Sequence, residues 1–148
     1  MLELEVVTPY RQVLHTQAES IIVPAVEGYL GIMTNHAPLV AGLTAGVLRY
    51  GPAHGEKERV AVSGGFVEVT NNKVTVLADT AELASEIDVL RAWEARRRAE
   101  ARLRSRAANI DYARAEAALK RAMARLQAAG VDDEEAEQRF GKDQPIPD

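Results

Sequence analysis

The sequence predicts an all-β N-terminal domain followed by an α-helical hairpin, α+β overall. Three observations carry this. Up to about Ala78, apolar residues come in short alternating runs separated by turn signals. After Leu77 the β-branched residues almost vanish, and Ala, Arg, Glu and Leu, all good helix formers, take over. In that second half, aspartates and a glycine bracket two segments of helical length.

The elements follow in order. Leu2, Leu4 and Val6 alternate with acids, the period of a half-buried strand. Ile21-Ile22-Val23 is a short buried run that stops at Pro24. In GYLGIMTNHAPLVAGL, from Gly28 to Leu43, Gly28 and Gly31 permit tight turns, and Ile32 and Leu39 anchor strands. Asn35 can take the left-handed conformation, and Pro38 fixes the exit of the chain. Val60 and Val62 lead to Ser63-Gly64-Gly65, a turn. Phe66, Val67 and Val69 follow, and Asn71-Asn72 reads as a tight hairpin into Val74, Val76 and Leu77. Such a series fits an antiparallel sandwich or barrel.

Ser85 or Asp88 caps a first helix running to about Arg106. Residues 107–110 connect it to a second, capped by Asp111 and ended by Gly130 at C′. So short a link folds the two helices back on each other. Tyr112, Ala115, Leu119, Ala122, Leu126 and Ala129 form a seam on the second helix, and Val89, Ala92, Ala99 and Leu103 one on the first. Alanine seams allow close approach but bury little apolar area, so the hairpin is expected to be marginally stable and able to open. The division is 1–84 for the β domain, 85–130 for the hairpin and 131–148 for an acidic, flexible tail.

Composition narrows the function. The chain has 148 residues, 47% of them apolar, enough for a packed core. With no cysteine, disulfides, thiol nucleophiles and cysteine-based zinc sites are excluded, and a reducing compartment suits the chain. No apolar run approaches a bilayer span, and the acidic start is unlike a signal peptide, so any membrane link goes through a partner. The net charge of -4 hides a segregation: residues 81–130 carry eleven bases and seven acids, between an acidic domain and an acidic tail. That asymmetry points to an interaction surface.

His15, His36 and His54 lack metal-ligand spacing, and there is neither a nucleophile elbow nor a phosphate loop. No catalytic residue and no metal site are therefore expected. The basic helices are more informative. Asp88, Arg91, Arg98 and Arg102 fall on one face of the first helix, and Arg114, Arg121 and Arg125 on one face of the second. If the stripes share a flank, something anionic belongs there. The bland alternative is two solvated faces. A stand-alone module gripping nucleic acid or an acidic protein is the other reading. The lack of interleaved aromatics and the acidic flanks count against nucleic acid.

Taken together, "LEVVTP", "EGYLGIMTNHAPLVAGLTAGVLR", "VSGGFVEV", "NKVTVLADTAE", "EIDVLRA" and "IDYARAEAALKRAMARL" occur in an order that resembles the epsilon subunit of bacterial-type F-type ATP synthase, over about residues 2–128. The resemblance implies a β-sandwich of about ten strands followed by a helix hairpin. It implies a non-catalytic part of the rotating central stalk that couples proton transport to ATP synthesis. The implied place is peripheral, on the cytoplasmic side of the cell membrane, without direct membrane insertion. Its partners would be the gamma subunit, the c ring, and the alpha and beta subunits, with an acidic segment of beta meeting the basic helices. The hairpin would restrain ATP hydrolysis when extended.

In some members of that family the hairpin binds ATP as a regulatory ligand. The run Ile87-Asp88-Val89-Leu90-Arg91-Ala92 matches the motif for this, with Arg98, Arg121 and Arg125 where phosphate-facing arginines lie and Glu82 where the nucleotide is framed. Tyr29, Gly31 and His36 would belong to the rotor interface. Trp93 departs from the pattern, packing on the sandwich or crowding the nucleotide. The longer acidic tail is able to fold back on the basic helices and compete with beta or with ATP.

Overall fold

In a computed structural model, residues 1–141 are described. Ten strands form two five-stranded sheets. The strands are β1 Leu2–Val7, β2 Gln12–Ala18, β3 Ser20–Ala25, β4 Gly28–Met33, β5 Leu39–Gly42, β6 Gly46–Gly51, β7 Glu58–Ser63, β8 Phe66–Thr70, β9 Lys73–Leu77 and β10 Thr80–Leu83. One sheet has the order β2-β1-β9-β8-β5, the other β10-β7-β6-β3-β4. All neighbours are antiparallel except β1 and β9.

The alternation in β1 works as expected: Leu2, Leu4 and Val6 are fully buried between the sheets. They meet Val67, Val69, Val74 and Val76 from their own sheet and Ile21, Val23, Ile32, Leu48, Val60 and Val62 from the other. Asn71 and Asn72 both take positive φ, +46° and +61°, and close the β8–β9 hairpin. Asn35 also sits at positive φ, +67°. Its backbone N–H donates to Asn72 Oδ1 at 2.6 Å, and Asn72 Nδ2 donates to Asn35 Oδ1 at 3.3 Å. The two left-handed turns are thus fastened to each other.

One boundary differs from expectation. β3 does not stop at Pro24 but runs through it, with Pro24 opposite Tyr29 of β4. The β3–β6 ladder ends at Ile22, and the Pro24 carbonyl accepts instead from the Thr44 N–H at 2.9 Å. A strand residue's N–H and C=O point the same way, so the missing N–H lies where no ladder partner waits.

A single 3₁₀ turn, Ala84–Glu86, leads into helix α1, Val89–Arg104. Asp88 is the cap, its Oδ1 accepting from Arg91 N at 3.1 Å, and the helix ends two residues before the expected Arg106. Asp111 caps α2, Tyr112–Ala128, in the same way through Arg114 N at 3.0 Å. α2 lies on β6 and β7, and α1 packs along α2. Ala115, Ala122 and Leu126 of the expected seam are buried, but Tyr112 is exposed and its hydroxyl donates to the Ser105 carbonyl. α2 has a second buried stripe, Ala124 and Ala128. Ala128 meets Val47, Ala61 and Ile87 on the outer face of the sheet, where small side chains let the helix come close. This second cover explains why Gly46, Val47 and Leu48 of β6 and Val60, Ala61 and Val62 of β7 are buried in succession rather than alternately.

The acidic tail is not wholly frayed. Asp133–Phe140 forms helix α3, capped by Asp132, whose Oδ1 accepts from Glu135 N at 2.8 Å. Val131 and Ala136 are buried with Ala92, Trp93 and Leu126. Three carboxylates in its first turn favour the positive end of the helix dipole, and Arg139 sits in its last. Residues 142–148 of the expected tail lie outside the described residues.

Candidate functional site

The site begins at the junction of sandwich and hairpin. Glu82 stands on β10, the edge strand, paired with Ala61 of β7. The 3₁₀ turn after it is pinned by Glu86, whose Oε1 accepts from Leu83 N at 3.0 Å and from Arg11 Nη2 at 3.0 Å. Those bonds hold the Glu86 carboxyl below its ordinary range, the Arg11 contribution being the larger. With the linker fixed, α1 starts at Asp88 and projects Arg91 and Arg98 one way.

A cleft of about 150 Å³ is lined by Glu82, Asp88, Arg91, Ala92, Ala95, Arg98 and Arg125. Six of the eight residues expected for a nucleotide site therefore converge, from β10, the α1 cap, α1 and α2. Ile87 does not line it. Its side chain packs on Val47, Ala61 and Ala128, so its part is to seat the linker. Arg121 lies in the adjoining groove with Val62, Ser63, Thr80 and Ala124, which shares Glu82 and Arg125 with the cleft. Arg102 and Arg114, on the same helical stripes, line neither. Ala95 was missed because alanine carries no chemical signal; only its position, three residues from Ala92 and from Arg98, marks it.

The charges decide what the cleft can take. Three guanidiniums face two carboxylates. Arg125 Nε donates to Glu82 Oε1 at 2.7 Å, joining α2 to the sandwich. Asp88 is engaged by the helix end. Arg91 and Arg98 are the groups with capacity left for an outside anion, and a planar guanidinium suits phosphate oxygens. The cleft is smaller than the roughly 300 Å³ at which enclosed ligand sites begin. It admits a phosphate chain, with the rest of such a ligand outside.

Trp93 neither packs on the sandwich nor enters the cleft. It lies on the opposite flank of α1, 6.5 Å from the Phe140 ring between centroids. Nor does α3 compete for the cleft: Asp133 pairs with Arg96, which lies on that same far flank.

The second expected site is at the other edge of the sandwich. β4 and β5 are the edge strands of their sheets, and an open groove of about 550 Å³ runs between them, lined by residues 25–30 and 39–42. Tyr29 is 56% exposed, yet its hydroxyl accepts from Val47 N at 3.2 Å, so the ring is held across β3. Val26 and Val40 are exposed beside it. Gly31 is exposed on β4, where an added Cβ would meet nothing within 4 Å. His36 Nδ1 lies 2.7 Å from the Ala37 carbonyl. A carbonyl only accepts, so Nδ1 carries the proton there, and the ring is used in the turn.

Comparison with known proteins agrees with this architecture. The ATP synthase delta/epsilon chain beta-sandwich domain family matches residues 1–84, and the ATP synthase delta/epsilon chain long alpha-helix domain family matches residues 85–130. The ATP synthase epsilon chain of Symbiobacterium thermophilum is 59% identical over 109 residues, 73% of this chain and 78% of that one. That of Syntrophomonas wolfei is 56% identical over 104 residues, 70% and 76% of the two chains. A chain in a cryo-EM structure of the Euglena gracilis mitochondrial ATP synthase, OSCP/F1/c-ring, is similar with a TM-score of 0.72 at 25% identity, over 86% of this chain and 80% of that chain. A chain of the Tetrahymena thermophila mitochondrial ATP synthase central stalk and c ring shares the fold, with a TM-score of 0.52 at 18% identity, over 88% and 96%.

Proposed function

The chain belongs to the delta/epsilon chain family of ATP synthase, and from that premise we propose that it is a non-catalytic rotor subunit whose hairpin senses ATP. The sandwich sits in the central stalk between the gamma subunit and the c ring, on the cytoplasmic side of the membrane. No helix among the described residues is long and apolar enough to cross a membrane. The groove between β4 and β5 supports a rotor contact: it is open, apolar and rimmed by Tyr29, Val26 and Val40. Gly31 and His36 lie on the strand and turn beside it. Proton-driven rotation reaches the catalytic sites through this foot, and the chain contributes rigidity there rather than chemistry.

The observation that carries the regulatory half is the convergence of Glu82, Asp88, Arg91, Ala92, Arg98 and Arg125 on one cleft from four separate segments. ATP lays its phosphates between Arg91, Arg98 and Arg125, with Arg121 at the adjoining groove, and so ties α1, α2 and β10 together. Hydrolysis has no part in it. Bound ATP keeps the hairpin folded. Without it the hairpin extends, and its basic helices meet an acidic segment of the beta subunit and restrain ATP hydrolysis.

Calorimetric titration of the purified chain with ATP tests this. Each arginine lost from a phosphate contact removes charge-assisted hydrogen bonds worth about 1.5–3 kcal/mol. Arg91→Ala and Arg125→Ala should therefore each weaken binding at least about tenfold. No heat at millimolar ATP, or both variants binding like the parent chain, would overturn the ATP reading.

A further inference from the structure

The residues beyond the helix-domain match, from Val131 on, make a contact that neither the rotor nor the ATP reading uses. α2 ends in a left-handed turn at Gly130, φ +77°. Gly130 N donates to the Gln127 carbonyl at 3.0 Å and Val131 N to the Leu126 carbonyl at 2.9 Å, the Schellman arrangement. That turn sends the chain back across α1. α3 then packs Val131, Ala136 and Phe140 against Trp93, Ala92 and Leu126. This cluster takes residues from all three helices. Outside this cluster every buried residue of α1 and α2 is an alanine.

Arg96 completes it. Its guanidinium forms a two-point ion pair with Asp133, through Nη1–Oδ1 and through Nη2–Oδ2 at 3.2 Å. Its Nε donates to Glu100 at 2.9 Å, and its Cζ stands 5.7 Å from the centre of the Trp93 ring. The buried indole N–H has no acceptor among the described residues, so Trp93 is held by packing and by Arg96. At 100° per residue, Trp93 and Arg96 leave α1 on the flank away from Arg91 and Arg98. The contact therefore grips α1 from behind the cleft and leaves the cleft open.

We propose that α3 is a clamp: it closes over Trp93 and Arg96, holds α1 against α2, and must let go before the hairpin opens. The clamp does not depend on ATP binding at the cleft, and it is tested on the purified full chain without nucleotide. The single tryptophan makes Trp93 its own reporter. Ala136→Glu places a charge at a position 1% exposed and should drive α3 away. Trp93 emission should shift to the red, and amides of Val89–Arg104 should exchange at least about tenfold faster while those of β1 and β9 keep their protection.

The ion pair supplies a second test that leaves the apolar side chains in place. Asp133→Arg should loosen α1, whereas Asp133→Glu, which keeps the charge facing Arg96, should retain most of its protection. In the parent chain, α3 amides should exchange before those of α1. Unchanged exchange of α1 after Trp93 has become exposed would show that α3 is only an appendage. Unchanged Trp93 emission in Ala136→Glu, or α1 protection in Asp133→Arg equal to that of the parent chain, would also overturn the clamp.

Discussion

Two glycines of one sheet, on β6 and β4 with β3 between them, show how differently one residue type can be constrained. At Gly46 an added Cβ would lie 2.6 Å from Pro24 Cβ and 2.9 Å from the Tyr29 hydroxyl, so the close approach of β6 to β3 requires glycine. At Gly31 there is open space and an ordinary φ. Gly46→Ala should cost about 1–3 kcal/mol through forced backbone movement. Gly31→Ala should leave stability unchanged or raise it by up to about 1 kcal/mol. Denaturant titration of the two variants measures both. If the rotor reading holds, Gly31→Ala should still weaken docking to the c ring, because the missing side chain then serves a neighbour outside the chain. At this scale the asparagine turns were legible, since few other residues tolerate positive φ. Gly46 was legible only as punctuation, because its constraint comes from Pro24, 22 positions away in sequence and adjacent only in the fold.

Helix ends were the most legible elements. Asp88, Asp111 and Gly130 carry local signals that act within one turn, and each does what its type predicts. The second stripe of α2 was not legible, because Ala124 and Ala128 are as common on a solvated face as on a buried one. α3 was hidden for a related reason: Val131, Ala136 and Phe140 are scattered among acids, and the composition reads as solvated. With hindsight, Asp132 followed by three acids is a helix start.

Two carboxylates now anchor the hairpin, Glu86 to Arg11 at its entry and Asp133 to Arg96 at its end, and both are held below their ordinary range by those guanidiniums. A depressed carboxylate contributes stability above its unfolded pKa of about 4 and loses it as pH falls through its folded value. Trp93 emission should accordingly be flat from about pH 8 to 5 and shift to the red only below about pH 4. A transition near neutrality would mean that some other group controls α3.

For the molecule as a whole, the candidate nucleotide site was more legible than the clamp. A stripe of arginines survives translation into structure, since helical spacing alone places Arg91 and Arg98 together. What spacing could not give was the meeting of that stripe with Glu82 and Arg125, which needs α2 on β7 and β10 beside it. The sandwich closes its own core, and α2 touches it through small side chains around Ala61 and Ala128. A chain ending after residue 85 should therefore still fold, and on the proposed function it should bind gamma while no longer restraining hydrolysis. Circular dichroism and pull-down check the first two, and an ATPase assay of the reassembled complex the third; a folded truncation that cannot bind gamma would argue against the assigned division of labour.

The parallel pairing of β1 with β9 sets an order on synthesis. β1 leaves the ribosome before the other strands, yet it lies between β2 and β9, and its partner register runs from Lys73 to Leu77. Half of the core must wait, loosely collapsed, until about half the chain has emerged, and such distant pairing is slow. The helices, built from neighbours in sequence, are made after the strands and form fast. Every strand of the sandwich therefore leaves the ribosome before the hairpin does, so the surface on β6 and β7 that receives α2 emerges ahead of the helix it receives.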